Sequence, residues 1–311
     1  MAITVFGSVF VDIKGYPLGE FVPNGRNAGR VETTHGGVSR NVVENIGNLG
    51  LAPVFVSIVD DSGTGEDVLR NLKESGVDVG YVKRVSGGLG TWLAVFDSKG
   101  DVYASISKRP DLSPIYDILK EHGEEIFSSS DSVILEMDMP GEMVDAIYRL
   151  AKEYDVPVYG LVSNISIAIE NFELIRETEC FVCNMQEAGE FFGEDFSAAS
   201  PARLSERLSE LIETKGIRRM VVTLGEKGAV YARCGGEHGV CPAENVQSVD
   251  TTGAGDAFFA GVAACLTYGL SLGEACRTGS RLAAETIMSY MNVIPRHDAS
   301  EFGIDMTRSK A

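Results

Sequence analysis

Apolar positions follow two rhythms along this chain. Short continuous runs rich in β-branched residues, at Ile3–Phe6, Val54–Val59, Val133–Leu135, Val158–Leu161, Phe181–Cys183 and Met220–Leu224, read as strands buried on both faces. Between them lie stretches with helical spacing: Arg40–Leu49, Gly65–Ser75, Gly141–Tyr154, Ala202–Lys215, Gly255–Tyr268 and Leu272–Met291. In the first of these, Val42, Val43, Ile46 and Leu49 share one face, and Ser39 stands where it would cap the N-terminus. Strand–helix alternation of this kind predicts an α/β fold with a mostly parallel central sheet covered on both faces.

Two stretches break the alternation. Residues from about 14 to 34 are polar and rich in glycine and asparagine. Those from about 81 to 108 read as successive short strands, with Thr91–Phe96 and Val102–Ser107 joined by the turn sequence Asp97-Ser-Lys-Gly100. Together they predict a small antiparallel β lid inserted in a single α/β domain spanning residues 1–311. Surface hairpins without a covering role are the plainer alternative.

Composition narrows the partners. The chain has 311 residues with a formal net charge of −18, which repels phosphate backbones and anionic lipid, so neither nucleic acid nor membrane is an expected partner. The N-terminus reaches Asp12 without a basic segment followed by an apolar one, and the longest apolar run, Ala257 to Leu266, is too short to span a bilayer; a cytoplasmic protein is expected. Cys180 and Cys183 form a C-x-x-C inside an apolar strand, which reads as buried thiols rather than a redox or zinc pair.

Several chemistries can be struck out. No lysine follows a glycine, so the end of a Walker A loop is absent, and neither a G-x-S-x-G elbow nor an H-E-x-x-H helix occurs. The informative stretch is Val249-Asp-Thr-Thr-Gly-Ala-Gly-Asp256, where a strand end meets a long apolar helix. Small residues there leave backbone N–H groups unobstructed at the positive end of the helix dipole, suited to the charge of a phosphoryl group in flight. Asp256 in the same turn is placed to accept a proton from a substrate hydroxyl; a carboxylate with only a capping role is the alternative. A second glycine pair, Gly36 and Gly37, precedes Arg40 and Asn41, and with Asp12 after the first strand these offer the donors and acceptors a polyhydroxyl ligand needs. Thr223, Gly225 and Gly228 follow another strand, and Asn184 and Glu187 another, at strand ends where open α/β sheets bind ligands.

Four of these stretches, in order, resemble the ribokinase-like (PfkB) carbohydrate kinases. The Gly36-Gly37 pair with Asn41 is similar to the first family signature, and Asp250-Thr-Thr-Gly-Ala-Gly-Asp256 to the second; Asn184-x-x-Glu187 and Thr223-x-Gly-x-x-Gly228 match motifs between them. The resemblance covers essentially the whole chain. It implies a ribokinase-like three-layer sandwich with a small β lid, and ATP-dependent phosphorylation of a hydroxymethyl group. Asp256 would be the base and Gly253, Ala254 and Gly255 the anion hole. Asn184, Thr223, Gly225 and Gly228 would hold ATP, and Glu187 would engage Mg2+ through water. Asp250 and Thr252 match positions that bind K+ in potassium-activated members. Asp12, Gly36, Gly37, Arg40, Asn41 and Asp138 would hold the substrate, and lids in this family pair between subunits, which implies a homodimer.

Within the family the chain looks most similar to pseudouridine kinases, through Asp12-Ile-Lys-Gly-Tyr-Pro17, Asn27-Ala-Gly29 and the Arg40-Asn41 pair. Two departures are visible: Asp138-Met-Pro140 stands where many sugar kinases carry a glutamate before a proline, and Gly160-Leu-Val-Ser-Asn164 replaces an aspartate-led loop. A free-sugar kinase of ribose or fructose type remains open. So does a phosphosugar kinase using Arg26, Arg30, Arg40, Lys108 and Arg109. A non-catalytic sugar or nucleotide sensor would be expected to show damage in the anion hole or base, and neither shows it.

Overall fold

The computed structural model describes residues 1–307. Thirteen strands and ten α-helices follow one another in the described residues. Strands β1 (Ile3–Phe6), β4 (Val54–Val59), β5 (Asp78–Arg84), β8 (Ser132–Glu136) and β9 (Val158–Leu161) form an all-parallel sheet in the order β5-β4-β1-β8-β9. Strands β10 (Phe181–Asn184), β11 (Arg219–Thr223), β12 (Ala229–Arg233) and β13 (His238–Cys241) form a second sheet, parallel at β10–β11 and antiparallel beyond. It adjoins the first where the Glu179 N–H donates to the Val158 carbonyl at 2.7 Å.

Alternation within the strands builds the three layers. In β4, Phe55 and Val59 face one core and Val56 and Ile58 the other; in β8, Ile134 faces the first and Val133 and Leu135 the second. The first core is closed by α1 (Val38–Asn48), α2 (Gly63–Glu74), α9 (Ala254–Thr267) and α10 (Leu272–Ile287), the second by α3 (Ser113–Ser129) and α4 (Gly141–Glu153). The remaining helices, α5 (Ile165–Glu170), α6 (Phe172–Glu177), α7 (Met185–Phe192) and α8 (Pro201–Lys215), lie with the second sheet around a third cluster. This is the expected α/β sandwich with helices on both faces.

The lid is a four-stranded sheet in the order β3-β2-β6-β7, from β2 (Phe10–Pro17), β3 (Gly29–Gly36), β6 (Gly90–Phe96) and β7 (Val102–Lys108). The pairs β2–β3 and β6–β7 are antiparallel, and β2–β6 is parallel. The hairpin turn forms where the sequence places it: the Asp97 carboxylate accepts the N–H groups of Lys99 and Asp101 at 2.8 and 2.9 Å. Two boundaries differ from the sequence reading. The lid begins at Phe10, because β2 leaves the parallel sheet within a few residues of β1, and Tyr81–Arg84 belong to β5 at the edge of the parallel sheet.

Helix α3 is absent from the pattern-based reading, although Ile115, Ile118, Leu119, Ile126 and Phe127 are buried along it; Pro114 at its start and Gly123 within it mask the rhythm. Ser39 is not the cap of α1. That position is held by Gly37, whose φ of 96° suits glycine, and Ser39 turns its hydroxyl to Glu136 at 2.7 Å. No helix among the described residues is long and apolar enough to cross a membrane. Cys180 and Cys183 are both buried, and burial raises both thiols well above their ordinary range.

Candidate active site

The start of α9 is fixed from both sides. The Val249 N–H donates to the Ile287 carbonyl at 2.7 Å, tying the approach segment to the end of α10. Asp250 Oδ1 then accepts the Thr252 N–H at 2.9 Å and its hydroxyl at 2.8 Å, a local turn that points the chain into the helix. Gly253 follows with φ 82°, and a Cβ there would stand 2.2 Å from the Asn292 carbonyl oxygen, so no other residue fits. Among the described residues the N–H groups of Gly253, Gly255 and Asp256 meet no backbone acceptor, whereas that of Ala254 leans on the Thr251 carbonyl at 3.3 Å. A Cβ built on Gly255 meets nothing within 4 Å, so the helix mouth opens onto free space at that residue.

Asp256 sits in this turn, partly exposed, and accepts a hydrogen bond from Asn41 Nδ2 at 2.6 Å. Burial pushes its carboxyl up to about 7; the Asn41 hydrogen bond and the nearby Arg40 charge oppose the shift, while Asp12 and Glu136 add to it. A carboxylate with that affinity is matched to taking a proton near neutral pH.

Around it the first glycine pair is packed against the protein's own chain: a Cβ at Gly37 would meet the Ser8 carbonyl oxygen and the Phe10 backbone nitrogen. The Asp12 carboxylate lies against Gly36, where a Cβ would be 2.2 Å from Oδ1, so the glycine makes room for the acid. Asp12 is also raised by burial, with Lys14 and Arg40 pulling the other way. Register pairs Asp12 with Thr34 across β2–β3. Both Thr34 Oγ1 and Asn41 Oδ1 are buried without a hydrogen-bond partner among the described residues, Asn41 against Asp256 and Thr34 across from Asp12, so both are acceptors a ligand's hydroxyl groups would satisfy.

Two of the expected substrate residues are placed otherwise. Arg40 is buried beneath the glycine turn, donating to Glu44 at 2.5 Å and to the carbonyls of His35 and Gly36, so its guanidinium is committed to holding the turn. Asp138 turns its buried carboxylate to Arg109, at 2.8 Å, and to the Ser163 hydroxyl. The two departures seen in the sequence therefore bond to each other. Arg30 pairs with Glu32 at 3.3 Å. Three of the five cations a phosphosugar would need are thus engaged within the protein.

Glu136 was not singled out from the sequence. Its buried carboxylate accepts the Ser8 N–H at 2.9 Å, the Ser8 hydroxyl at 3.0 Å and the Ser39 hydroxyl, joining the end of β8 to the β1–β2 turn and the first turn of α1. Burial raises its carboxyl as well. An acid closing an apolar strand, Val133-Ile-Leu-Glu136, was the available signal.

On the other side of the α9 mouth lies a cleft of about 450 Å³ bordered by Thr223, Gly225, Gly228, Ala254, Gly255 and Phe258. Gly228, at φ 88°, is held so close to β13 that a Cβ would stand 2.0 Å from the Cys241 carbonyl. The cleft has room for a nucleotide, and the space at Gly255 is open at its α9 end. Asn184 and Glu187 make a reciprocal capping box at the start of α7, with 2.9 and 2.8 Å hydrogen bonds, and register sets Asn184 beside Thr223. No cluster of three metal-ligating side chains exists among the described residues. The Glu187 carboxylate accepts the Asn184 N–H and would be the acid available to a magnesium ion on this side of the cleft. For a monovalent cation, Asp250 and Thr252 supply hard oxygen donors already oriented toward each other.

A family model described as pfkB family carbohydrate kinase matches residues 2–295. A guanosine-inosine kinase from Exiguobacterium acetylicum is 34% identical over 292 residues, covering 93% of this chain and 95% of its own length. A pseudouridine kinase from Escherichia coli is 25% identical over 277 residues, covering 88% of this chain and 87% of its own. Among solved structures, Arabidopsis thaliana ribokinase complexed with ribose and ATP superposes with a TM-score of 0.80 at 21% identity, over 97% of this chain and 99% of that one.

Proposed function

Because the chain belongs to the pfkB family of carbohydrate kinases, phosphotransferases with an alcohol acceptor that act on nucleosides or sugars, we propose that it transfers the γ-phosphoryl group of ATP to the hydroxymethyl group of a nucleoside. The observation that carries this reading is Asp256, raised to about 7 and held by Asn41 beside the open N–H groups of α9. Asp12, Thr34 and Asn41 bind the sugar hydroxyls and orient the hydroxymethyl group toward Asp256. Asp256 takes the hydroxyl proton as the oxygen attacks, and the N–H groups of Gly253, Gly255 and Asp256 hold the phosphoryl oxygens as negative charge gathers on them. Glu187 and Asn184 would hold magnesium, which would supply charge neutralisation on the phosphates; Asp250 and Thr252 would hold a potassium ion at the foot of the α9 turn.

A nucleoside is preferred over a free sugar because both curated relatives above carry nucleoside names, one purine and one pyrimidine-derived. The pseudouridine-like reading of the sequence and a guanosine- or inosine-like reading are both contained in it. Val31, Leu93 and Ile106 stand exposed on the outer face of the lid, with Leu93 paired directly to Ile106, and this supports a homodimer formed lid to lid.

The test is ADP release from ATP and magnesium across nucleosides, pentoses, hexoses and their phosphates, with and without potassium. Nucleosides are expected to turn over best, and Asp256→Asn is expected to lose at least about 10²-fold in kcat while ATP still binds. Undiminished turnover by that variant would remove the proposed base.

A further inference from the structure

The inner face of the lid carries more than the Asp12 carboxylate. Alternation along β2 puts Asp12, Lys14 and Tyr16 on one face, and the parallel register with β6 places Trp92 across from Asp12 and Ala94 across from Lys14. Phe96, two residues beyond Ala94, lies on that face too. The Tyr16 and Phe96 rings stack at 4.6 Å with their planes 20° apart, and the Arg30 guanidinium lies 4.6 Å from the Tyr16 centroid. Trp92 meets Phe96 edge-on, at 6.5 Å and 89°. Tyr16 and Phe96 are therefore occupied with each other and with Arg30. Among the described residues no ring lies parallel to Trp92 and no cation lies over it, and Phe96 is the one ring beside it.

Lys14 lies between these groups and is only 4% exposed. Among the described residues its ammonium makes no ion pair and no hydrogen bond, although its charge reaches Asp12 and favours that carboxylate's ionised form. Its cross-strand neighbour on the other side is Glu32. The Lys14 stem is buried and its ammonium, unpaired among the described residues, is free to donate to an incoming acceptor, and with Asp12 and Glu32 beside it the surroundings are already anionic. A neutral carbonyl oxygen suits such a place better than a phosphate. The distance matches as well: a residue two positions along a strand is displaced by about 6.7 Å, comparable to the span from a sugar ring held at Asp12 to a carbonyl on an attached base.

We propose that the lid reads the base of the acceptor, with Trp92 as its stacking surface and Lys14 as donor to a ring carbonyl, so that oxo-substituted bases are selected over amino-substituted ones. This rests on the nucleoside reading above and names the chemistry within it.

Trp92 is the single tryptophan of the chain, so its fluorescence reports on its own surroundings. Inosine and uridine, which carry ring carbonyls, are titrated beside adenosine and free ribose, following both fluorescence and ADP release. Nucleosides are expected to change the emission and ribose to leave it unaltered. Trp92→Leu should raise KM for every nucleoside by about tenfold, in line with base–aromatic stacking, without changing KM for ribose. Lys14→Met should lower kcat/KM for inosine and uridine by about tenfold while changing adenosine less than about twofold. Lys14→Arg, which keeps a donor, should retain the preference, and ribose turnover reports that each variant is folded. Equal emission changes with ribose and nucleosides, equal loss on inosine and adenosine in Lys14→Met, or a preference for a sugar phosphate that vanishes in that variant would each overturn the inference. Wild-type turnover of free sugars alone would instead overturn the nucleoside reading. Nucleoside turnover indifferent to both substitutions would overturn this inference and leave that reading standing.

Discussion

Replacing Gly255 by alanine should separate stability from catalysis. The residue is the second of α9, in helical conformation, and a Cβ built on it meets no heavy atom within 4 Å. Folding therefore meets no clash. Alanine in place of glycine within a helix gains roughly 0.5–1 kcal/mol, mostly from the smaller freedom of the unfolded chain. The first turn will realise the lower part of that range, which for a protein of this size corresponds to a rise in Tm of about 1–3 °C. Catalysis should move the other way. The methyl group enters the open mouth of α9, where the Gly255 N–H is proposed to meet the phosphoryl oxygens, and a displacement of about 1 Å at the reacting centre can cost 10²-fold. The expected variant is slightly more heat-resistant than the parent and at least about tenfold slower in kcat. Differential scanning calorimetry and steady-state ADP release measure the two quantities on one preparation. A variant with parental kcat would refute the placement of the phosphoryl group over this residue. Gly253→Ala is the control: its Cβ would stand 2.2 Å from the Asn292 carbonyl at φ 82°, so it should lose stability first.

Other outcomes follow from the same contacts. Asp256 must be ionised to accept a proton, so kcat should rise with pH through about 7, and Asn41→Leu, which removes a hydrogen bond to the charged form, should move that limb to higher pH; a rate independent of pH across this interval would contradict the shift. The folded chain holds this proton more tightly than the unfolded one, whose value is 3.8, so the Asp256 contribution to stability falls as pH rises from about 4 to about 7, and Asp256→Asn should gain Tm relative to the parent above that window. Gly36→Ala should push the Asp12 carboxylate aside and raise the acceptor KM about tenfold, leaving ATP affinity unchanged; simultaneous loss of ATP binding would point to misfolding instead. Ile106→Glu on the outer face of the lid should convert a dimer to monomers in analytical ultracentrifugation, and an unchanged sedimentation coefficient would remove the lid interface.

The parts of this fold that were legible in the sequence are those where one local rule dominates. β1 and β4 declared themselves by short continuous runs rich in β-branched residues, because strands buried on both faces have no polar alternation to confuse the reading. The turn into α9 was legible for a similar reason: Gly253 is required by close approach to Asn292 at a single position. Roles that depend on long-range pairing were not. Arg40 and Asp138 sit in suggestive motifs, yet where their side chains go is decided by His35, Glu44, Arg109 and Ser163, whose positions no local pattern contains. Glu136 escaped notice because its partners, Ser8 and Ser39, are separated from it by 128 and 97 residues. Thr34 counted for little until the β2–β3 register brought it beside Asp12. The lid boundary slipped at Tyr81–Arg84 because an edge strand of a parallel sheet, half exposed, carries the same letters as a lid strand.

The most direct test of the central claim is a crystal structure with a nucleoside acceptor and a non-hydrolysable ATP analogue bound together. The account predicts the acceptor hydroxymethyl oxygen within hydrogen-bond distance of the Asp256 carboxylate and the terminal phosphoryl group against the N–H groups of Gly253 and Gly255. An acceptor hydroxyl out of reach of Asp256, or phosphates lying away from the α9 mouth, would contradict it.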